Sequence, residues 1–203
     1  MIAIDIETVA QENLESVIPE FEGRKGTKDL DKLAAQIAVK KSEWIDKAAL
    51  DPNYGRIACI CYYGDDRVGA LVDTREEVML KDFWDTFANE PEIVTFNGKS
   101  FDIPYIIRRS WYNNIKPTIS YDSSRYNSIT HFDLRLILAG GDTHAKGKLS
   151  DYANLKLSVD MDAKGSEVQG LWDAGKIEEI VTHCRQDVEV TWNLFESMRG
   201  YYL

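Results

Sequence analysis

The sequence predicts an α/β fold, a mixed sheet flanked by helices, and three observations carry that expectation. β-prone segments cluster early, at residues 1–8, 56–63 and 68–72. Strand-like and helix-like segments then alternate, with a helix over 76–89, a strand over 92–96 and a helix over 101–112. A long helical stripe occupies 176–198 near the end of the chain. Early strands followed by alternation fit one layered sheet with helices on its faces.

The opening stretch, Met1-Ile-Ala-Ile-Asp-Ile-Glu-Thr8, is an apolar run with two carboxylates set into it. Successive side chains of a strand point to opposite faces, so residues two apart share a face, roughly 6.6 Å apart along the strand. Ile2, Ile4 and Ile6 fill one face, and Asp5 and Glu7 project from the other. Two readings are open for the acids: a face that meets water, or a buried face where a divalent cation offsets the desolvation of like charges.

A charged stretch follows, broken at Pro19, Gly23 and Gly26. Leu30, Leu33, Ala34, Ile37, Ala38, Ile45 and Ala49 then recur at mostly helical spacing, with Asp29 as N-cap. The region at about residues 10–52 is thus a helical insertion between the first two strands. It is expected to pack on the sheet edge, with a position over the active site as the alternative. Asp51-Pro-Asn-Tyr-Gly55 makes a turn, and Gly64-Asp65-Asp66 closes a hairpin, so the first three strands form an antiparallel meander. In the helix over 76–89, Val78, Met79, Phe83, Trp84 and Phe87 face inward. Further helical patterns lie over 132–138, 149–155, 165–173 and 176–198. The last carries Ile177, Ile180, Val181, Cys184, Val188, Thr191 and Phe195 as its apolar stripe.

The 203 residues suffice for one good-sized domain, taken as 1–203. Hydrophobic content of 44% and charged content of 29% are those of an ordinary globular chain. No apolar run approaches the ~20 residues that span a bilayer. The start lacks a basic segment leading into an apolar core, so a cytoplasmic location without membrane association is expected. Cys59, Cys61 and Cys184 show no framework spacing, which suits a reducing compartment and argues against a structural zinc site. A net charge of −10 argues against binding nucleic acid by electrostatics alone. The charge is uneven, however. Residues 97–148 hold Lys99, Arg108, Arg109, Lys116, Arg125, Arg135, Lys146 and Lys148 against Asp102, Asp122, Asp133 and Asp142, +4 there and −14 elsewhere. Such a middle suits a phosphate-facing surface or a solvated mixed-charge face.

Two further stretches carry chemistry. In Thr95-Phe-Asn-Gly-Lys-Ser-Phe-Asp102 a strand ends, Asn97-Gly98 turns sharply, and a helix begins at Phe101-Asp102. On the last helix, His183 and Asp187 stand four apart on one face, beside the apolar stripe. Asp133, after His131, reads as an N-cap or as a residue supporting the site.

The acids Asp5, Glu7, Asp102 and Asp187, in three separate elements and in this order, resemble the DEDD superfamily of 3′–5′ exonucleases, which has a ribonuclease-H-like fold. Asp-Ile-Glu looks like the first motif, Asn-Gly with Phe-Asp the second, and Asp187 on the final helix the third. Within the superfamily the chain is most similar to the proofreading exonuclease domains of family-B DNA polymerases and their free-standing bacterial and phage relatives. The resemblance covers residues 1–8, about 54–112 and about 130–198, and leaves the insertion outside. It implies a five-stranded mixed sheet, with strands one to three antiparallel and the rest parallel. It also implies two Mg²⁺ or Mn²⁺ ions on Asp5, Glu7, Asp102 and Asp187, with Asp5 bridging them. There is one departure: His183 stands four residues before Asp187, where the family's tyrosine type has Tyr; its histidine type has His five before. An imidazole titrates near neutrality and suits a water-activating base, so His183 joins the catalytic set.

The resemblance implies a metal-dependent hydrolase releasing nucleoside 5′-monophosphates from 3′ ends of single-stranded or frayed DNA, in repair or replication with a DNA polymerase as partner. Thr8, Phe96, Asn97, Lys99, Phe101, Arg108 and Arg109 are the candidate substrate contacts. The alternatives are an RNA-directed exoribonuclease, a non-catalytic nucleic-acid-binding or polymerase-associated module, and another phosphoesterase acting on nucleotides.

Overall fold

In the computed structural model the first strand, β1 (Ile2–Ala10), is the central strand of a five-stranded sheet. The structure describes residues 1–26, 28–122, 124, 129–142, 144, 147–161 and 167–203, Glu15 by its backbone alone. After β1 come α1 (Leu30–Ala49), β2 (Gly55–Tyr63), β3 (Val68–Leu71), α2 (Glu76–Thr86), β4 (Ile93–Thr95) and α3 (Asp102–Tyr112). They are followed by β5 (His131–Asp133), α4 (Leu134–Leu138), α5 (Leu149–Tyr152) running into a π-helical turn, α6 (Val168–Asp173) and α7 (Ile177–Met198). The strand order is β3-β2-β1-β4-β5. β2 pairs antiparallel with both β1 and β3, whereas β4 runs parallel to β1 and β5 parallel to β4. The expected mixed α/β architecture is therefore the observed one. Arg125, Lys146 and the Gly165-Ser166 head of the expected 165–173 helix lie outside the described residues.

The alternation of β1 divides the core in two. Ile2, Ile4 and Ile6 pack with Met79, Leu80, Phe83 and Trp84 of α2 and Ile103 and Ile106 of α3. Ala3 and Val9 face the other way, onto Ile180, Val181, Cys184 and Val188 of α7. The ladder with β2 runs Asp5↔Cys61, Ile6↔Ile60, Glu7↔Cys59, then Thr8↔Ile57, so Ala58 is an extra residue on β2. This bulge leaves the faces of β1 unbroken.

The sequence expectation differs from the structure at three places. The helix expected over 132–138 begins only at Leu134, because His131–Asp133 form the short parallel strand β5. Its buried His131 donates or accepts at Thr95 Oγ1 over 2.9 Å, a polar pairing with no hydrophobic periodicity to announce it. Burial lowers the His131 pKa to about 4. Secondly, α1 is capped by Asp29 as expected, but it packs on the sheet mainly through its C-terminal end, where Ala48 and Ala49 are buried. The Tyr105 hydroxyl donates to Ala49 O at 2.9 Å and pins that end to α3. Thirdly, Arg109 does not face a phosphate. Its guanidinium is buried and grips Glu76, with Nη2 at 2.6 Å and Nε at 3.0 Å from the carboxylate, and Nη1 donates to Pro52 O. Glu76 also accepts from Ile57 N at 2.8 Å, so one carboxylate joins β2, α2 and α3.

Removing one member of a buried ion pair strands the other charge and costs roughly 3–5 kcal/mol. Arg109→Ala is expected to lower unfolding stability by that amount in urea titrations. Arg108→Ala, on the exposed face of α3, is expected to change it by less than about 0.5 kcal/mol.

Candidate active site

β1 and β4 pair only at Ile2↔Ile93 and Ala3↔Val94. From β1 the chain leads to β2 on one side, and from β4 to β5 on the other. Such a switch between parallel neighbours opens a crevice at their carboxyl ends, where α/β sheets bind ligands. Asp5 and Glu7 lie on β1 toward that end, and Asp102 begins the helix that follows β4.

Asp102 is 3% exposed and accepts from Ile6 N at 3.2 Å, an amide of β1 beyond the two paired residues. The turn before it is shaped for that position. Asn97 adopts a left-handed conformation, φ 72°, which Asn tolerates better than most residues. A Cβ on Gly98 would lie 2.5 Å from the Thr95 side chain, so only glycine fits. Asp133 holds this turn, accepting from Asn97 N and Lys99 N at 3.0 Å each, and caps α4 by accepting from Leu136 N. It is a positioning residue.

α7 brings the remaining groups. Its buried stripe lies on the β1 and β2 face, which leaves His183 and Asp187 facing Glu7. His183 Nε2 is 3.6 Å from Glu7 Oε1, and His183 Nδ1 is 3.9 Å from Asp187 Oδ1. Glu7, His183 and Asp187 each offer a ligand atom within 4.8 Å of the others. Asp5 lies deeper. Its Oδ2 is 3.5 Å from Cys184 Sγ, and Cys184 meets Cys59 and Cys61 beneath the site, all within 4.8 Å. Thus Cys184, distant in sequence, joins the pair that shares a strand face.

The carboxyls shift one another. Burial, then Asp102, Glu7 and Asp187, hold Asp5 well above the usual range. Burial, with Asp187 and Asp102, raises Glu7 to about 8. Burial raises Asp102 to about 7, against the hydrogen bonds that favour its charged form. Asp187 is raised by burial and partly relieved by His183. Clustered carboxylates in a crevice suit hard divalent cations. Asp187 Oδ1 is buried without a hydrogen-bond partner, an oxygen such an ion would satisfy.

Beside Glu7 lies a cavity of about 670 Å³, within the range of small-molecule sites. Thr8 and Phe101 line it, and so do Glu43, Asp46, Lys47 and Leu50 of the insertion. The end of α1 therefore both packs on the sheet and reaches the site. No periodicity in that charged helix marks these side chains as lining residues. The other expected substrate contacts are spread more widely. Phe96 packs against Tyr152 at 5.9 Å between ring centroids. Asn97 Oδ1 accepts from Arg135 Nη1 at 2.8 Å. Lys99 is buried with its Nζ donating to Ser124 O at 2.9 Å, and that burial lowers its pKa. Arg108 is exposed. No helix among the described residues is long and apolar enough to cross a membrane.

The sheet order and its flanking helices make an α/β fold of the kind contained in a family B DNA polymerase. A family model described as a predicted 3′–5′ exonuclease related to the exonuclease domain of PolB matches residues 54–201, and the chain belongs to that family. It is 35% identical over 177 residues to an uncharacterized protein of Methanocaldococcus jannaschii, covering 76% of this chain and 92% of that one. The family B DNA polymerase of the hyperthermophilic archaeon Pyrobaculum calidifontis superposes with a TM-score of 0.65 at 17% identity. That likeness of fold covers 97% of this chain but only 24% of the polymerase. The family match begins after β1, so Asp5 and Glu7 rest on the geometry above.

A carboxyl with a higher pKa folded than unfolded binds more protons in the folded state between the two values, so stability falls as pH rises through that window. The window runs from 4.5 to about 8 for Glu7 and from 3.8 to about 7 for Asp102. In EDTA the melting temperature is expected to fall steadily from pH 4.5 to 8, and added Mn²⁺ should cancel the fall. Calorimetry across that range tests this, and a metal-free melting temperature that rises with pH would contradict it.

Proposed function

We propose that the chain is a metal-dependent 3′–5′ exonuclease that hydrolyses the terminal phosphodiester of single-stranded or frayed DNA and releases nucleoside 5′-monophosphates. One observation carries this reading: carboxylates from β1, α3 and α7 converge at the split between β1 and β4, beside a cavity of about 670 Å³. Its placement beside the acids suits attack on a chain end. DNA is favoured because the family is related to the exonuclease domain of PolB and the similar fold is that of a DNA polymerase. A polymerase that delivers primer termini is the partner this reading implies.

Asp5, Glu7, Asp102 and Asp187 would hold two Mg²⁺ or Mn²⁺ ions. When bound, such ions lower the pKa of an attacking water and offset charge on the phosphate and leaving oxygen. The protein itself positions the substrate. Phe101, half-buried against Tyr105, and Leu50, 62% exposed, offer apolar surfaces to a terminal base on the cavity wall. Thr8 borders the same space. Arg108 stands outside as a contact for more distant phosphates, whereas Arg109 is committed to Glu76.

A strand labelled at its 5′ end is expected to give a descending ladder with Mn²⁺, and one labelled at its 3′ end to give labelled mononucleotide at once. RNA of the same sequence is expected to react more slowly. Asp5→Ala and Asp187→Ala should each slow cleavage on the order of 100-fold or more. Wild-type rates in those variants would refute the proposal, and binding without shortening in every metal would leave a binding module. Phe101→Ala is expected to raise KM more than it lowers kcat, because base stacking contributes about 1–3 kcal/mol.

A further inference from the structure

We propose that His183 is a metal ligand, and that with Glu7 and Asp187 it makes one cation position a mixed nitrogen–oxygen site that selects Mn²⁺ over Mg²⁺. The inference rests on the two-cation reading above and assigns the residue that reading leaves without a fixed role.

The geometry first argues against the histidine as a hydrogen-bonding partner of either acid. Its Nε2 is 3.6 Å from Glu7 Oε1 and its Nδ1 3.9 Å from Asp187 Oδ1. Both separations exceed a hydrogen bond. They fit something else. Two ligand atoms each about 2.1–2.2 Å from one ion lie roughly 3 Å apart when adjacent and roughly 4.4 Å apart when opposite. One atom from each of the three residues falls within 4.8 Å of the others, so they can surround one ion with small side-chain adjustments.

The surroundings agree. The three side chains are 14% to 22% exposed, sheltered but reachable. Asp187 Oδ1 is buried and lacks a hydrogen-bond partner. Among the described residues no lysine or arginine lies within ion-pair distance of Glu7 or Asp187.

Ligand chemistry then sets the selectivity. Mg²⁺ takes oxygen donors and gives up water reluctantly. Imidazole suits first-row transition ions, among which Mn²⁺ also accepts carboxylates readily. Replacing one oxygen donor by a ring nitrogen therefore shifts preference from Mg²⁺ to Mn²⁺. The other acids, Asp5 and Asp102, contribute oxygen alone, so the two cation positions differ in kind.

The test needs no nucleic acid. The full chain, stripped of metal and grown with ¹⁵N-histidine, is loaded with Mn²⁺ and examined by pulsed electron paramagnetic resonance. A ¹⁵N coupling to bound Mn²⁺ is expected, and its absence overturns the proposal. Of the other two histidines, His131 is fully buried and bonded to Thr95 and Asp122, and His144 is exposed. In His183→Ala the coupling should vanish, and the Mg²⁺ concentration that displaces half the Mn²⁺ should fall at least tenfold. His183→Gln supplies the same comparison should the alanine variant not fold, as judged by circular dichroism. An unchanged competition in a folded variant overturns the proposal. Nitrogen coupling in a protein that shortens no strand keeps the ligand and rejects the exonuclease. Strand shortening without nitrogen coupling does the reverse.

Discussion

Crowded negative charge is the constraint on which the rest of this molecule depends. Asp5, Glu7, Asp102 and Asp187 are held in a crevice where burial raises all their pKa values, and repulsion from the neighbouring acids of the group raises Asp5 and Glu7 further. Raising Glu7 from 4.5 to about 8 corresponds to about 5 kcal/mol of disfavoured ionisation. The same strand supplies compensation on its opposite face. Ile2, Ile4 and Ile6 are each at most 4% exposed, and burying each contributes roughly 1.5–3 kcal/mol. β1 thus couples its least favourable residues to some of its most favourable ones, through nothing more than the two-residue period of a strand.

Supporting polar groups fix what the apolar core cannot. Asp133 clamps two backbone amides of the 97–99 turn, and Gly98 lets that turn close over Thr95. Glu76 and Arg109 lock β2, α2 and α3 into one frame. Asp102 spans the gap where β1 and β4 part by accepting from Ile6 N. The insertion adds a wall that the sheet lacks, since its Lys47 and Leu50 border the same cavity as Glu7.

Much of this was legible in the sequence, and the failures have physical causes. Alternation in 2–7, the amphipathic stripe of α7 and the Asp29 cap are local patterns, and each reappears in the structure. The placement of the acids on β1, α3 and α7 could be read because each of those elements is locally specified. β5 could not: three residues are too few for periodicity, and His131 and Asp133 are buried through hydrogen bonds rather than hydrophobicity. Arg109 reads as a surface cation until Glu76, 33 positions away, is brought against it. The meeting of Cys184 with Cys59 and Cys61 likewise depends on the tertiary packing of α7 over two strands.

The extra residue of the β1–β2 ladder sits at Ala58, on β2. That location bears on how such a chain can vary over evolutionary time. A one-residue insertion between Ile2 and Glu7 would reverse the facing of everything on one side of it, driving carboxylates among Phe83 and Trp84 or isoleucines toward α7. Length change in β2 can be absorbed by a bulge, because its residues there need only pack. β1 is therefore the molecule's ruler, a segment whose composition can drift but whose count cannot.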